Sequence, residues 1–224
     1  MADTNHDRRQ FLSYGTVAAA TAGVAAVGLT PDTAAAQAGG NAVPNLYPNV
    51  NARNFRAIRD HENAHVAFLV NALGAAARPK PNFKNLLQPN IRAFANVTRS
   101  LEATGVGAYL GAAPVIFSRQ ILAQAGSIAF IEALHTGYVN VLVNTILTAD
   151  VNGTEQTFAT PLTIAQIVSG ASPFIQDLNG GPPLTFNMTP SRANDIAILN
   201  FALTLEYLES EFYNLNVPRF FPNA

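Results

Sequence analysis

The chain has 224 residues, 13 basic and 14 acidic side chains, and no cysteine. The absence of cysteine excludes disulfides, thiolate metal sites and cysteine nucleophiles. A nearly neutral chain with only two lysines is also not expected to bind nucleic acid or anionic lipid.

The first 38 residues are predicted to be an export signal rather than part of the fold. Arg8 and Arg9 form a twin-arginine pair, and an Ala-rich apolar run follows at 16–29. This run is too short to span a bilayer comfortably, and Ala-Gln-Ala at 36–38 is typical of a peptidase site; an uncleaved anchor is the alternative. The twin-arginine route carries folded proteins, so we expect a cofactor-loaded domain in the periplasm, on the cell surface or outside the cell.

Residues 39–224 are long enough for one domain with a sizeable core. Without the signal they carry 11 basic and 11 acidic side chains, so charges on apolar faces need an explanation. Four stretches repeat apolar residues at spacings of three and four, the period of one helical face. No strand pattern of comparable length is present in the sequence, which therefore predicts an all-α four-helix bundle without an integral membrane segment.

The first predicted helix covers about 51–73 and ends at Gly74. The second covers about 91–109 and is followed by a break at 111–114, where glycine and proline occur. The third is the longest and is predicted over 117–147. All three carry their apolar residues on one face.

Residues 150–188 are rich in Gly, Pro, Thr and Asn. They are predicted to form a long connection with at most a short helix near 162–168. Thr189 and Pro190 are predicted as the cap and first turn of the last helix, which runs to about Asn214.

Each predicted helix carries an acid on its apolar face, and two of these acids precede a histidine by three residues. The pairs are Glu62 with His65 and Glu132 with His135. Residues three apart on a helix lie side by side, so each pair can bind one ion. Either pair taken alone would also suit a solvated helix surface.

Glu102 and Glu206 supply the acids of the other two helices. Bundles that hold two metal ions combine two Glu-x-x-His pairs with one Glu from each remaining helix. Tyr109 and Tyr213 follow these glutamates by seven residues, two turns along the same face. They are predicted to donate hydrogen bonds to the ligands or to act as local electron donors, with simple core packing as the alternative. Glu209 is the rival of Glu206, and the tyrosine spacing favours Glu206.

These six donors predict a site for two divalent metal ions. Neighbouring divalent ions need anionic oxygens to bridge them, and one imidazole per ion completes an open shell. Iron or manganese is expected, although Glu and His also suit zinc. His61 lies off this face and is predicted to face solvent or to contact a ligand from outside.

Four segments resemble the ferritin-like proteins related to plant desiccation-related proteins, and together they cover most of the chain after the signal. They are HENAHVAFLVNALG (61–74), LEATGVGAYLGAAP (101–114), SIAFIEALH (127–135) and NFALTLEYLESEFY (200–213). The resemblance implies a ferritin-like bundle. In that family the stretch similar to 200–213 comes first, so the resemblance also implies a circularly permuted order, B-C-D-A.

The resemblance has two further implications, one for the association of copies of the chain and one for the hydrogen bonding of the histidine ligands. The long loop before the last helix can close the bundle within one chain or deliver that helix to a neighbour, which makes self-association an option. Several ferritin relatives also keep an acid just before each motif glutamate, where this chain has His61 and Ile131. The hydrogen bonding behind the histidine ligands is therefore expected to differ.

Two functions are compatible with these patterns. The first is an exported di-iron or di-manganese protein that performs redox chemistry on peroxide or dioxygen, in oxidative-stress or desiccation protection. The second is a non-catalytic exported structural or assembly protein, in which any metal stabilises the fold.

Overall fold

The computed structural model describes residues 49–222. This part of the chain contains five α-helices: α1 (Val50–Leu73), α2 (Ile91–Ala112), α3 (Arg119–Leu142), α4 (Ile164–Ala171) and α5 (Arg192–Phe220). Two short strands, β1 (Asn82–Phe83) and β2 (Ile175–Asp177), pair in antiparallel orientation. Single 3-10 turns at Gly74–Ala76 and Ala113–Val115 follow α1 and α2. The predicted all-α bundle is confirmed.

The four long helices pack in pairs. Helix α1 packs against α5, α2 packs against α3, and α2 also contacts α5 and the short α4. None of the helices within residues 49–222 has the length and apolar character needed to cross a membrane. The predicted twin-arginine signal at 1–38 lies outside the described residues and stays a prediction.

An aromatic cluster closes one end of the bundle. Phe55, Phe94 and Phe212 are fully buried, and the Phe94 ring lies 4.9 Å from that of Phe55 and 5.5 Å from that of Phe212, centroid to centroid. They come from the first turns of α1 and α2 and from the last third of α5. Burying a phenylalanine contributes about 1.5–3 kcal/mol, so this cluster fixes three of the four long helices together.

Helix α3 ends at Leu142, so the prediction that it reaches residue 147 was wrong. The buried Asn140 side chain donates hydrogen bonds to the carbonyl oxygens of Leu147 (3.1 Å) and Ala149 (2.9 Å). It also accepts a hydrogen bond from Arg99 (2.7 Å). These contacts turn the chain back on itself, and Asn144 takes a left-handed conformation with φ of 63°. The apolar residue at 146 that extended the periodic pattern therefore lies in the turn.

The last helix also differs from its prediction at both ends. Ser191 is the N-cap, with its hydroxyl oxygen accepting from the Asn194 N–H at 3.0 Å, so the predicted Thr189–Pro190 start was wrong. The helix continues beyond Asn214 to Phe220 because its last turns pack into the aromatic cluster. The pairing of β1 with β2, which anchors the long connection, was not predicted.

Truncation of Phe94 tests the contribution of the aromatic cluster. Phe94→Ala is expected to lower the free energy of unfolding by about 3–5 kcal/mol, because it leaves a cavity among three helices. The measurement is chemical denaturation followed by circular dichroism. Phe130→Ala is the matched control, because Phe130 is 76% exposed and its loss should change stability by about 0.5 kcal/mol or less. Equal losses in both variants would contradict this account of the core.

Candidate metal centre

The six donor side chains predicted from the sequence meet inside the bundle. Each of the four long helices contributes one glutamate from near its midpoint, and α1 and α3 add a histidine one turn later. The donors are Glu62 and His65 on α1, Glu102 on α2, Glu132 and His135 on α3, and Glu206 on α5. All four glutamates are at most 1% exposed. Whether these side chains bind metal stays a prediction.

The donors form two sets, each centred on the Nδ1 atom of one histidine. His135 Nδ1 lies 3.1 Å from both Glu62 Oε1 and Glu102 Oε2. His65 Nδ1 lies 3.1 Å from Glu62 Oε2, 3.2 Å from Glu206 Oε2 and 3.3 Å from Glu132 Oε1.

Glu62 and Glu132 belong to both sets, in which the candidate ligand atoms lie within 4.8 Å of one another. The two shared carboxylates therefore lie where bridging ligands between two ions would be needed. Glu206 is a member of one set, whereas Glu209 is buried nearby and belongs to neither. The geometry thus separates the two glutamates that the sequence left as rivals.

Unsatisfied oxygen atoms indicate that the cluster fits cations. Glu62 Oε1 and both Glu132 oxygens are buried, and within residues 49–222 none of them has a hydrogen bond of good geometry, although histidine nitrogens lie 3.1 Å from Glu62 Oε1 and 3.3 Å from Glu132 Oε1. Buried carboxylate oxygens without such partners are strongly destabilising. Four ionised glutamates carry a charge of −4, which two divalent cations would balance while both imidazoles stay neutral. The donor set therefore suits two divalent ions.

Two buried tyrosines hold the glutamates that are not shared. Tyr109 donates its hydroxyl proton to Glu206 Oε1 at 2.5 Å, and Tyr213 donates to Glu102 Oε1. Tyr109 on α2 thus binds a glutamate of α5, and Tyr213 on α5 binds a glutamate of α2. Burial raises the pKa of both phenols well above the usual value, and the adjacent carboxylates raise it further. Both hydroxyls therefore stay protonated and donate, which agrees with the hydrogen-bonding role predicted from their spacing.

In the metal-free protein, protons neutralise the cluster. Burial lowers the pKa of His65, but its hydrogen bonds with the surrounding carboxylates outweigh burial and raise that pKa to about 12. Glu102 and Glu62 similarly outweigh burial at His135 and raise its pKa to about 11. Burial raises the pKa of Glu62 to about 7, and burial together with neighbouring carboxylates raises that of Glu132. At neutral pH both metal-free histidines are therefore protonated.

Gly105 provides the space that Glu132 occupies. A Cβ atom at this position would lie 2.6 Å from Glu132 Oε2, too close for any side chain to be accommodated without displacing the carboxylate. This role could not be predicted from the sequence, because Gly105 and Glu132 are distant in the chain. His61, which was predicted either to face solvent or to contact a ligand from outside, is exposed and also contacts His135 from outside the cluster.

Residues 10–145 and 194–222 of the chain match a protein-family model that is described as a ferritin-like domain. The chain belongs to the ferritin-like family. The two matched stretches contain all six donors of the cluster and omit the connection that holds α4 and β2. No curated protein and no solved structure matches the chain. The likeness of this ferritin-like protein to desiccation-related proteins and its circular permutation stay predictions.

Gly105→Ala is expected to weaken metal binding about tenfold, because the added methyl group displaces a shared carboxylate. The readout is metal content per chain after dialysis against metal of known concentration. Gly126→Ala is the matched control, because it adds the same methyl group to a helical glycine with no atom within 4 Å of the new carbon. Equal metal retention by the two variants would show that Glu132 does not need this space.

Metal binding at pH 7 should release at least two protons per chain, because an imidazolium cannot bind metal through the nitrogen that carries its proton. Apparent affinity should consequently fall as pH falls, since protons and metal compete for the same atoms. Calorimetric titration in two buffers of different ionisation enthalpy measures the release. Binding without proton release would mean that the histidines are neutral in the metal-free protein or are not ligands.

Proposed function

We propose that this ferritin-like protein is an exported dinuclear carboxylate protein that uses iron or manganese to act on peroxide or dioxygen. The observation that supports it is the pair of histidine-centred donor sets that share Glu62 and Glu132. Two redox-active ions held by shared carboxylates supply two electrons together, which the reduction of dioxygen or peroxide requires.

The protein's own residues then have separate tasks. Glu62 and Glu132, which belong to both donor sets, would be shared by the two ions, and Glu102 and Glu206 would each hold one ion. Tyr109 and Tyr213 orient these last two carboxylates and leave the second oxygen of each facing a histidine nitrogen. Burial of the four glutamates and of His135 limits their contact with bulk water and strengthens the electrostatic interactions within the cluster.

The space beside the cluster favours a very small substrate. The cavity that Tyr109, Glu206 and Glu209 line has a volume of about 20 Å³. Such a volume holds about one water-sized molecule. Dioxygen and hydrogen peroxide are small substrates that two redox ions could reduce. A larger cavity of about 410 Å³ lies between α2, α3 and the loop after α3, and none of the six donors lines it.

A second function, assembly without catalysis, is favoured by an apolar stripe on the outer face of α3. Phe130, Leu134 and Val141 are 76%, 68% and 52% exposed and lie at spacings of four and seven residues. Exposed apolar faces of this kind are typical of contact surfaces. In this alternative the ions stabilise the bundle and copies of the chain associate, with or without exchange of α5.

Export is part of the same proposal. It is supported by the Arg8–Arg9 pair and the apolar run that follows. A protein found only in the cytoplasm after fractionation of its native cells would contradict it.

The decisive experiment loads the metal-free protein separately with iron(II), manganese(II) and zinc. Peroxide or dioxygen is then added, and its consumption is followed with an electrode. Consumption is expected with iron or manganese and not with zinc. Glu132→Gln should lower the rate by about 10- to 100-fold. Glu211→Gln should not, because Glu211 pairs with Lys80 at the surface. Inactivity of both redox-metal forms at full metal occupancy would favour assembly.

A further inference from the structure

The two histidines of the centre differ in the contacts of the ring nitrogen that faces away from the carboxylates. His135 Nε2, the nitrogen that faces away from the carboxylates, lies 3.0 Å from Nδ1 of His61. The polar contacts of His65 with the described residues are all made through its Nδ1 atom. The His65 side chain is 12% exposed, against 6% for His135. One histidine is therefore held by a neighbour through its second nitrogen, whereas the second nitrogen of the other makes no such contact with the described residues.

The geometry of the His61–His135 contact is that of a linear hydrogen bond. The two ring planes differ by 9°, and their centroids lie 5.2 Å apart. This separation exceeds the 3.0 Å between the two nitrogens by about the radii of both rings, so the rings lie end to end in nearly one plane. An N–H bond on one ring then points at the lone pair of the other, as a good hydrogen bond requires.

We propose that His61 is a positioning residue for the metal position formed by Glu62, Glu102, Glu132 and His135. Its Nδ1 accepts the Nε2–H of His135 and so holds the Nδ1 atom of His135 towards the ion. The inference rests on the proposed metal centre. It adds that this centre is asymmetric, with one position preorganised and the other not.

The direction of the hydrogen bond follows from the number of ring protons. A neutral imidazole carries one proton, and a metal on Nδ1 leaves that proton on Nε2. His135 must then be the donor and His61 the acceptor. The single proton of a neutral His61 lies on its own Nε2, and His61 is exposed, so that group can be hydrated. Metal binding therefore fixes the tautomer of both rings.

A neutral acceptor suits this cluster better than an acid would. Histidine ligands commonly donate their second N–H to a carboxylate or a backbone carbonyl. Here four glutamates already converge on the centre, and another carboxylate behind His135 would add negative charge to them. His61 orients the ring at no cost in charge. The ring of His135 is consequently fixed before the ion arrives. The metal position that includes His135 should therefore bind its ion more tightly than the other position does.

The test titrates cobalt(II) into the metal-free full-length protein and two variants at position 61. The wild type is expected to bind two ions in separate steps. His61→Ala should weaken the tighter step about tenfold and leave the weaker step unchanged. His61→Gln should restore much of that loss, because its amide oxygen can accept the same hydrogen bond. Asn63→Ala is the matched control, since Asn63 is an exposed polar residue on the same helix that contacts Ser210 and Asn214 instead.

Proton magnetic resonance of the cobalt(II) protein provides a readout that a general loss of stability would not change. The wild type should show a hyperfine-shifted, exchangeable N–H signal from His135, protected by its hydrogen bond. His61→Ala should lose this signal to solvent exchange, whereas Asn63→Ala and His61→Gln should keep it.

Three results would overturn the proposal. Equal binding by His61→Ala and Asn63→Ala, equal weakening of both steps, or an unchanged N–H signal in His61→Ala would each remove the role of His61 and leave the metal centre intact. A wild type that binds no metal would instead remove the proposed centre itself. Thermal unfolding of all variants, followed by circular dichroism, checks that each one is folded.

Discussion

Four carboxylates converge in the interior of the bundle, and their negative charge must be balanced for the folded chain to be stable. Ionised carboxylates at such distances repel one another strongly when water is excluded. Protons can balance the charge, which is why the histidines have high pKa values and Glu62 has a raised one in the metal-free protein. Two divalent ions balance it without protons. Folding and metal binding are therefore expected to be coupled in this protein.

The bundle holds this charge by fixing each donor from a rigid helix. The Phe94 cluster joins α1, α2 and α5 at one end, and the two tyrosine–glutamate bonds join α2 to α5 at the centre. Gly105 lets α2 approach α3 closely enough for Glu132 to reach the centre. Because every donor lies near the middle of a long helix, fraying at the helix ends does not displace it.

The surroundings of the cluster bear on the proposed chemistry as well as the donors. Glutamate and histidine suit several metals, and the cavity of about 20 Å³ beside them has room for about one water-sized molecule. The different contacts of His65 and His135 make the two donor sets unequal, although the pattern of donors on the helices is nearly symmetric. The small cavity beside the donors is compatible with the proposed reaction on dioxygen or peroxide.

The helical class, the approximate helices and the six donors that meet could all be predicted from the amino-acid sequence. These features depend on spacings of three and four residues, which are properties of a single helix. The sequence could not place the end of α3, the start of α5 or the pairing of β1 with β2. These features are seen only in the folded chain, as are the space at Gly105 and the contact between His61 and His135. Each of them depends on atoms that folding brings together from separate parts of the chain, as when Asn140 binds carbonyl groups beyond the helix end.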